Sequence, residues 1–149
     1  MDYVKVRERV FPVGRLDRHT TGVLLLTNDG ELANKLMHPK HEINKAYKVT
    51  LDKPILADDM KKLQAGIRLS DGKTKPAEII PLGAGKIKTI YGVVIHEGRN
   101  RQIHRMFEAL DYEVKNLDRV AYADLTYDGL ARGAWRHLTK IELKKLKEV

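Results

Sequence analysis

Two periodicities interleave along this chain, and together they constrain its fold more than any other feature. Residues 45–52 alternate strictly, with Tyr47, Val49 and Leu51 on one side and Lys48 and Thr50 on the other. A period of two with one apolar side predicts a half-buried strand. Further on, Ile103, Met106, Phe107 and Leu110 recur at i, i+3, i+4 and i+7, one face of an amphipathic helix. Arg101, His104, Arg105 and Glu108 then share its opposite face. Strands are predicted over residues 77–82 and 89–97, separated by the turn signal Gly83-Ala84-Gly85. Residues 114–127 read as extended chain and turns. Such hairpin-like spacings argue against a purely parallel sheet, whose crossovers need about a dozen residues or more. The predicted class is α+β, with a mixed, largely antiparallel sheet and flanking helices.

The remaining segments fit that class. Residues 11–16 look extended, and residues 14–22, GRLDRHTTG, form a polar loop bracketed by glycines. The run Val23-Leu24-Leu25-Leu26 predicts a strand buried on both faces. Asn28-Asp29-Gly30-Glu31 has capping-box spacing, and Leu32, Ala33, Leu36 and Met37 supply the helical stripe behind it. His38-Pro39 ends that helix. Asp58 and Asp59 are placed to cap a helix that runs to Gly66. Thr139-Lys140-Ile141-Glu142 is a second capping box, opening a terminal helix. No repeat, linker or low-complexity tract interrupts the 149 residues, so one domain spanning 1–149 is expected.

Composition excludes several classes of function. The absence of cysteine rules out disulfides and thiolate metal sites. No apolar run approaches the length of a membrane span, and no basic-then-apolar leader is present, so a cytoplasmic protein is expected. His38 and His41 lack a third ligand at metal spacing, and no phosphate-loop or dinucleotide fingerprint occurs. Neither a metal nor a cofactor is therefore predicted. Charge points elsewhere. Lys and Arg total 28 against 20 for Asp and Glu, a net charge of +8. Arg99, Arg101 and Arg105 form one cluster and Lys35, Lys40, Lys45 and Lys48 another, the local concentration of cations that a phosphate backbone requires.

Within this frame Asp17 is the first candidate for chemistry. It lies among Arg15, Arg18 and His19, and neighbouring cations favour an ionised carboxylate, the form a carboxylate nucleophile needs. The competing reading is a turn aspartate that accepts backbone hydrogen bonds. Tyr47 is either a core residue or a platform that stacks on an unpaired base. Arg99, Arg101 and Arg105, beside Asn100 and Gln102 at a helix start, are either a solvated face or a phosphate clamp.

Several stretches resemble one family. Val13-Gly14-Arg15-Leu16-Asp17, then Thr21-Gly22-Val23-Leu24-Leu25-Leu26-Thr27-Asn28-Asp29-Gly30, is similar to the active-site stretch of the RsuA/RluB/RluE/RluF group of pseudouridine synthases. So are ELANKLMHP at 31–39, KAYKV at 45–49, EGRNRQI at 97–103, Arg105-Met106-Phe107, NLDRV at 116–120 and GAWRHLT at 133–139. The resemblance covers nearly the whole chain from about residue 10. It implies the pseudouridine synthase catalytic fold, acting on ribosomal RNA; a monomer is expected. Asp17 would attack the target uridine, Tyr47 would pack on the flipped base and serve proton transfer, and Leu117 would line the base pocket. Arg15, Arg18, Lys45 and the run Arg99, Asn100, Arg101, Gln102 and Arg105 would hold RNA. The RNRQ run is closer to the large-subunit branch. Where the family carries Arg or Lys as the partner of its catalytic aspartate, this chain has His104, which is charged only when protonated. The family pattern also places a small S4 domain and a Lys-Pro strand ahead of this region, so the catalytic domain is expected to be N-terminally incomplete relative to it. Two rivals follow: a non-catalytic RNA-binding fragment, and a metal-dependent nuclease, for which the only acidic pair singled out, Asp58-Asp59, is better explained as a helix cap.

Overall fold

The computed structural model describes residues 4, 6–83 and 85–149. In chain order its elements are β1 (Phe11–Pro12), β2 (Thr20–Gly22), β3 (Leu26–Thr27), α1 (Gly30–Met37), a single 3-10 turn (Pro39–His41), β4 (Lys45–Leu51), α2 (Ala57–Ala65), β5 (Arg68–Leu69), β6 (Gly72–Lys73), β7 (Glu78–Pro81), β8 (Ile90–Ile95), α3 (Gln102–Glu108), β9 (Val114–Tyr122), β10 (Leu125–Thr126) and α4 (Lys140–Lys147). The main sheet runs β10-β9-β4-β8-β7, and every pair along that path is antiparallel. β2 lies beside β9 in parallel. The α+β class with a mixed, mostly antiparallel sheet therefore holds.

Strand β4 occupies the middle because its alternation suits a sheet packed on one face. Val49 and Leu51 are buried while Lys48 is exposed. Tyr91, Val93 and Ile95 of β8 alternate in the same way, and the buried stripe Ile103, Met106 and Phe107 of α3 belongs to the same core as Leu63 of α2. At β9 the register slips. Ala46 pairs with Ala121 but Tyr47 pairs with Arg119, which leaves Val120 as the extra residue of a β-bulge. The bulge breaks the period of two, so that Leu117, Arg119 and Tyr122 are all buried.

Several local expectations change. Val23-Leu24-Leu25-Leu26 is not one doubly buried strand. Val23 is buried and Leu24 is 40% exposed, because the run crosses between two pairings. Residues 20–22 pair with β9 and Leu26–Thr27 with β1. Of residues 11–16, Phe11–Pro12 alone is strand. The cap of α1 is Asp29 rather than Asn28, its carboxylate accepting from the Leu32 amide at 3.1 Å, and Met37 ends the stripe 47% exposed. Asp58 and Asp59 lie in the first turn of α2 behind the cap position Leu56, where acidic groups favour the helix dipole; Asp59 accepts from the Tyr112 hydroxyl at 2.7 Å. Gly66 closes α2 and Thr139 with Glu142 forms the capping box of α4, both as expected. Ala84 of the predicted turn lies outside the described residues. The buried apolar residues form two clusters instead of a single core. One joins β4, β7, β8, α2 and α3, and the other joins α1, α4 and the loop residues Val13, Val23 and Ile43 to Tyr122.

Candidate active-site cleft

A cleft of about 590 Å³ opens where the 14–19 loop, β4, β9 and the start of α3 meet. Its wall holds Asp17, Tyr47, His104 and Leu117, together with Arg15, Lys45, Arg99, Asn100, Arg101 and Gln102. Residues as distant in sequence as Arg15 and Leu117 thus converge in one depression. Arg18 and Arg105 do not line it.

The approach of Asp17 is fixed by β2. Thr20 pairs with Leu117 and Gly22 with Arg119, which hangs the preceding loop over the middle of β9. Gly22 permits this. Its φ is +124°, and a Cβ there would sit 2.2 Å from the Arg119 carbonyl oxygen, so only glycine lets the two backbones approach. The Asp17 carbonyl accepts the Thr20 amide at 2.9 Å and closes the turn. Its carboxylate accepts no hydrogen bond among the described residues, so the turn does not depend on the side chain.

Tyr47 stands on β4 directly across from Arg119. Burial pushes its phenol above the ordinary 10.0; Arg119, hydrogen-bonded and charged beside it, opposes that shift, and the nearby Asp17 carboxylate adds to it. The phenol is therefore protonated at neutral pH. His104 lies one step along α3 from the buried Ile103. Its imidazole is held below 6.5, chiefly by burial and then by Arg101, while Asp17 and Glu108 pull it back. Its Nδ1 is buried without a hydrogen-bond partner among the described residues. Asp17 thus lies near enough to act on both Tyr47 and His104, and the imidazole is neutral at neutral pH.

The arginine run divides into distinct parts. Arg105 grips Asp71 with two nitrogens at 3.0 and 3.1 Å. Arg99 reaches the same carboxylate at 3.3 Å and also the Gly72 and Lys73 carbonyls at 2.9 and 2.7 Å. Both guanidiniums tie the β5–β6 hairpin to the rim. Gln102 is buried: its amide nitrogen donates to Glu97 at 2.8 Å and its oxygen accepts from the Arg99 amide at 3.2 Å. Arg15, Arg101 and Asn100 keep their side chains exposed. Arg119 was missed by sequence reasoning. It is 4% exposed, its Nε and Nη2 donate to the Val23 carbonyl at 2.9 and 2.6 Å, and it stacks over Tyr122 at 5.2 Å. Its signal was an arginine two residues from Leu117 on a strand, a position that a buried face would claim.

A second cavity, about 600 Å³, lies across the sheet, where Lys48, Thr50, Asn116 and Asp118 point away from the cleft towards Trp135. It contains none of the predicted site residues. No cluster of His, Asp or Glu suited to a metal occurs among the described residues, and no described helix is long and apolar enough to cross a membrane.

Known proteins share this sequence and fold. Residues 2–109 match the family model for RNA pseudouridylate synthase. The chain is 49% identical over 149 residues to ribosomal large subunit pseudouridine synthase B of Bacillus subtilis (strain 168), covering 98% of this chain and 61% of that protein. To the dual-specificity RNA pseudouridine synthase RluF of Escherichia coli (strain K12) it is 36% identical over 143 residues, covering 96% and 48%. Among solved structures, a pseudouridylate synthase crystal structure superposes with a TM-score of 0.89 at 34% identity, over 97% of this chain and 64% of that one. A chain from the structure of an H/ACA RNP bound to a substrate RNA containing 2′-deoxyuridine shares the fold, with a TM-score of 0.63 at 20% identity over 83% of this chain and 42% of that one. The chain spans about half to three-fifths of the length of these two curated relatives. Matched by this model over most of its length and by relatives of the same kind, the chain belongs to the RNA pseudouridylate synthase family.

Proposed function

We propose that this chain isomerises a uridine of ribosomal RNA, in the large subunit, to pseudouridine, with Asp17 as the nucleophile. The observation that carries the reading is the Asp17 carboxylate: it faces the cleft without a hydrogen bond from the described residues and with Tyr47, Leu117 and His104 in the same wall. A carboxylate engaged by its own turn would be a poor nucleophile; this one keeps its lone pairs for substrate. Asp17 would bond to C1′ as the N1–C1′ bond breaks; the base would then turn within the cleft, and C5 would displace the carboxylate from C1′, after which C5 loses its proton and N1 gains one. Tyr47 would lie against the flipped base, and Leu117 would close the apolar side of the pocket. Such a site takes an unstacked nucleotide, which selects a looped or locally opened RNA. No change in oxidation state occurs, so the reaction calls for no redox cofactor.

The exposed Arg15, Arg18, Asn100 and Arg101 and the half-buried Lys45 are the contacts proposed for RNA, with Arg99, Arg105 and Gln102 holding the rim on which they sit. The names of the two relatives, one a large-subunit synthase and the other dual-specificity, support the choice of RNA. The same reading has the protein act in the cytoplasm as a monomer with a single catalytic domain. Incubation with ribosomal RNA from cells that lack the modification, followed by chemical mapping of pseudouridine, tests the proposal. A new modified position in large-subunit RNA is expected. RNA binding without any new position would overturn it in favour of a binding module.

A further inference from the structure

We propose that Arg119 and Lys45 form an anion subsite on the floor of the cleft, which takes a phosphate group of the nucleotide being modified. Strand register sets the pattern. Tyr47 pairs with Arg119 and Lys45 pairs with Tyr122 across β4 and β9, and the bulge at Val120 turns Arg119 and Tyr122 to the same side. Two cations and two aromatic rings therefore alternate on one patch of sheet, all four in the cleft wall.

Taking a guanidinium out of water is costly unless it is paired. Arg119 is 4% exposed, yet among the described residues it has no carboxylate within 4.0 Å; its neighbours are the Val23 carbonyl, the Tyr47 hydroxyl and the Tyr122 ring. Lys45 is in the same position. Its Nζ is tucked beneath Gly98, where an added Cβ would come within 2.9 Å, and it too lacks an ion-pair partner among the described residues. The nearest acid, Glu97, is engaged by the Lys75 amide at 3.0 Å, the Gln102 amide at 2.8 Å and Arg99 at 3.5 Å. Burial and then the Arg119 charge push the Lys45 ammonium below its ordinary range, with Glu97 offsetting part of that. An anion between the two cations would reverse that cost.

The chemistry of the pair selects phosphate over the base. A guanidinium edge with an ammonium beside it matches phosphate oxygens, whereas uracil is neutral and has Tyr47 as its partner. The inference rests on the uridine-modifying reading, because it assigns the phosphate to the target nucleotide. The subsite would then hold the nucleotide by its backbone while its base turns.

Titration of inorganic phosphate, followed by amide chemical shifts in the isotope-labelled protein, tests the subsite without requiring turnover. Lys45→Met and Arg119→Lys are compared with the parent and with Lys48→Met, whose side chain leaves the opposite face of β4. The expected result is saturable shifts centred on residues 45–47 and 117–122, with affinity about tenfold weaker in Lys45→Met and in Arg119→Lys, the loss of one charged hydrogen-bond partner, and unchanged in Lys48→Met. A parallel series expects uridine 5′-monophosphate to outbind uridine in the parent, with the difference collapsing in Lys45→Met. Equal phosphate affinity in the parent and Lys45→Met would overturn the subsite, whether or not Arg119→Lys folds. A phosphate response that is lost in Lys45→Met, in a chain that makes no pseudouridine, would leave the subsite standing and refute the activity instead.

Discussion

Gly22 and His104 illustrate how single residues set the cleft. At Gly22 a methyl group has nowhere to go: the Arg119 carbonyl is 2.2 Å from the Cβ position and φ is +124°. Gly22→Ala must push β2 from β9 and disturb the loop that carries Asp17. A destabilisation of more than about 1 kcal/mol is expected, read from the urea midpoint, with activity falling further than stability accounts for. At His104 the sign of the pH effect follows from burial. The imidazole is held below 6.5, so it is neutral above that value and becomes charged as pH falls through its lowered pKa. If a cation beside Asp17 assists the reaction, His104→Arg supplies it at every pH. The single-turnover advantage of the variant should be largest above pH 6.5 and shrink on acidification. Superimposable rate–pH profiles would remove His104 from the mechanism.

Among the elements, α4 offers the cleanest local test. Thr139 and Glu142 satisfy each other's backbone amides at 3.1 and 2.8 Å, and Arg136 grips Glu142 with two bonds of 2.8 Å. Thr139→Ala should cost about 1 kcal/mol, measured as a lowered Tm. The Arg136 bonds hold the Glu142 carboxyl at about 2, below its usual 4.5. A depressed carboxylate contributes stability that is present above about 4.5 and lost as pH falls towards 2. Glu142→Gln should therefore flatten the acid limb of Tm against pH in that window, modestly, because the pair is exposed. This box was legible in the sequence because both partners lie within one turn. So were β4 and the buried stripe of α3, whose periods survive packing. Val23-Leu24-Leu25-Leu26 was misread because an apolar run does not reveal that its two ends pair with different strands. The grip of Arg99 and Arg105 on Asp71 spans 28 and 34 residues, a separation that carries no local mark, and so these arginines read as free cations. Arg119 was hidden for a related reason: which side of β9 it faces is decided by the bulge and by β2, both products of long-range pairing.

Across the whole molecule, the sheet joins two clusters of buried residues, and the cleft lies where they meet. Leu63, fully buried in the cluster that α2 shares with the sheet, does not line the cleft. Leu63→Ala should lose about 2–5 kcal/mol while leaving the turnover of the folded fraction intact, which separates the scaffold from the site. The central claim is that this scaffold places Asp17 to attack a uridine. The most direct test is a single-turnover comparison of the parent with Asp17→Asn on the same ribosomal RNA, with RNA affinity measured alongside. The account predicts that pseudouridine formation is abolished in Asp17→Asn while RNA affinity stays within a few-fold of the parent. Retention of the parent rate by Asp17→Asn would contradict it.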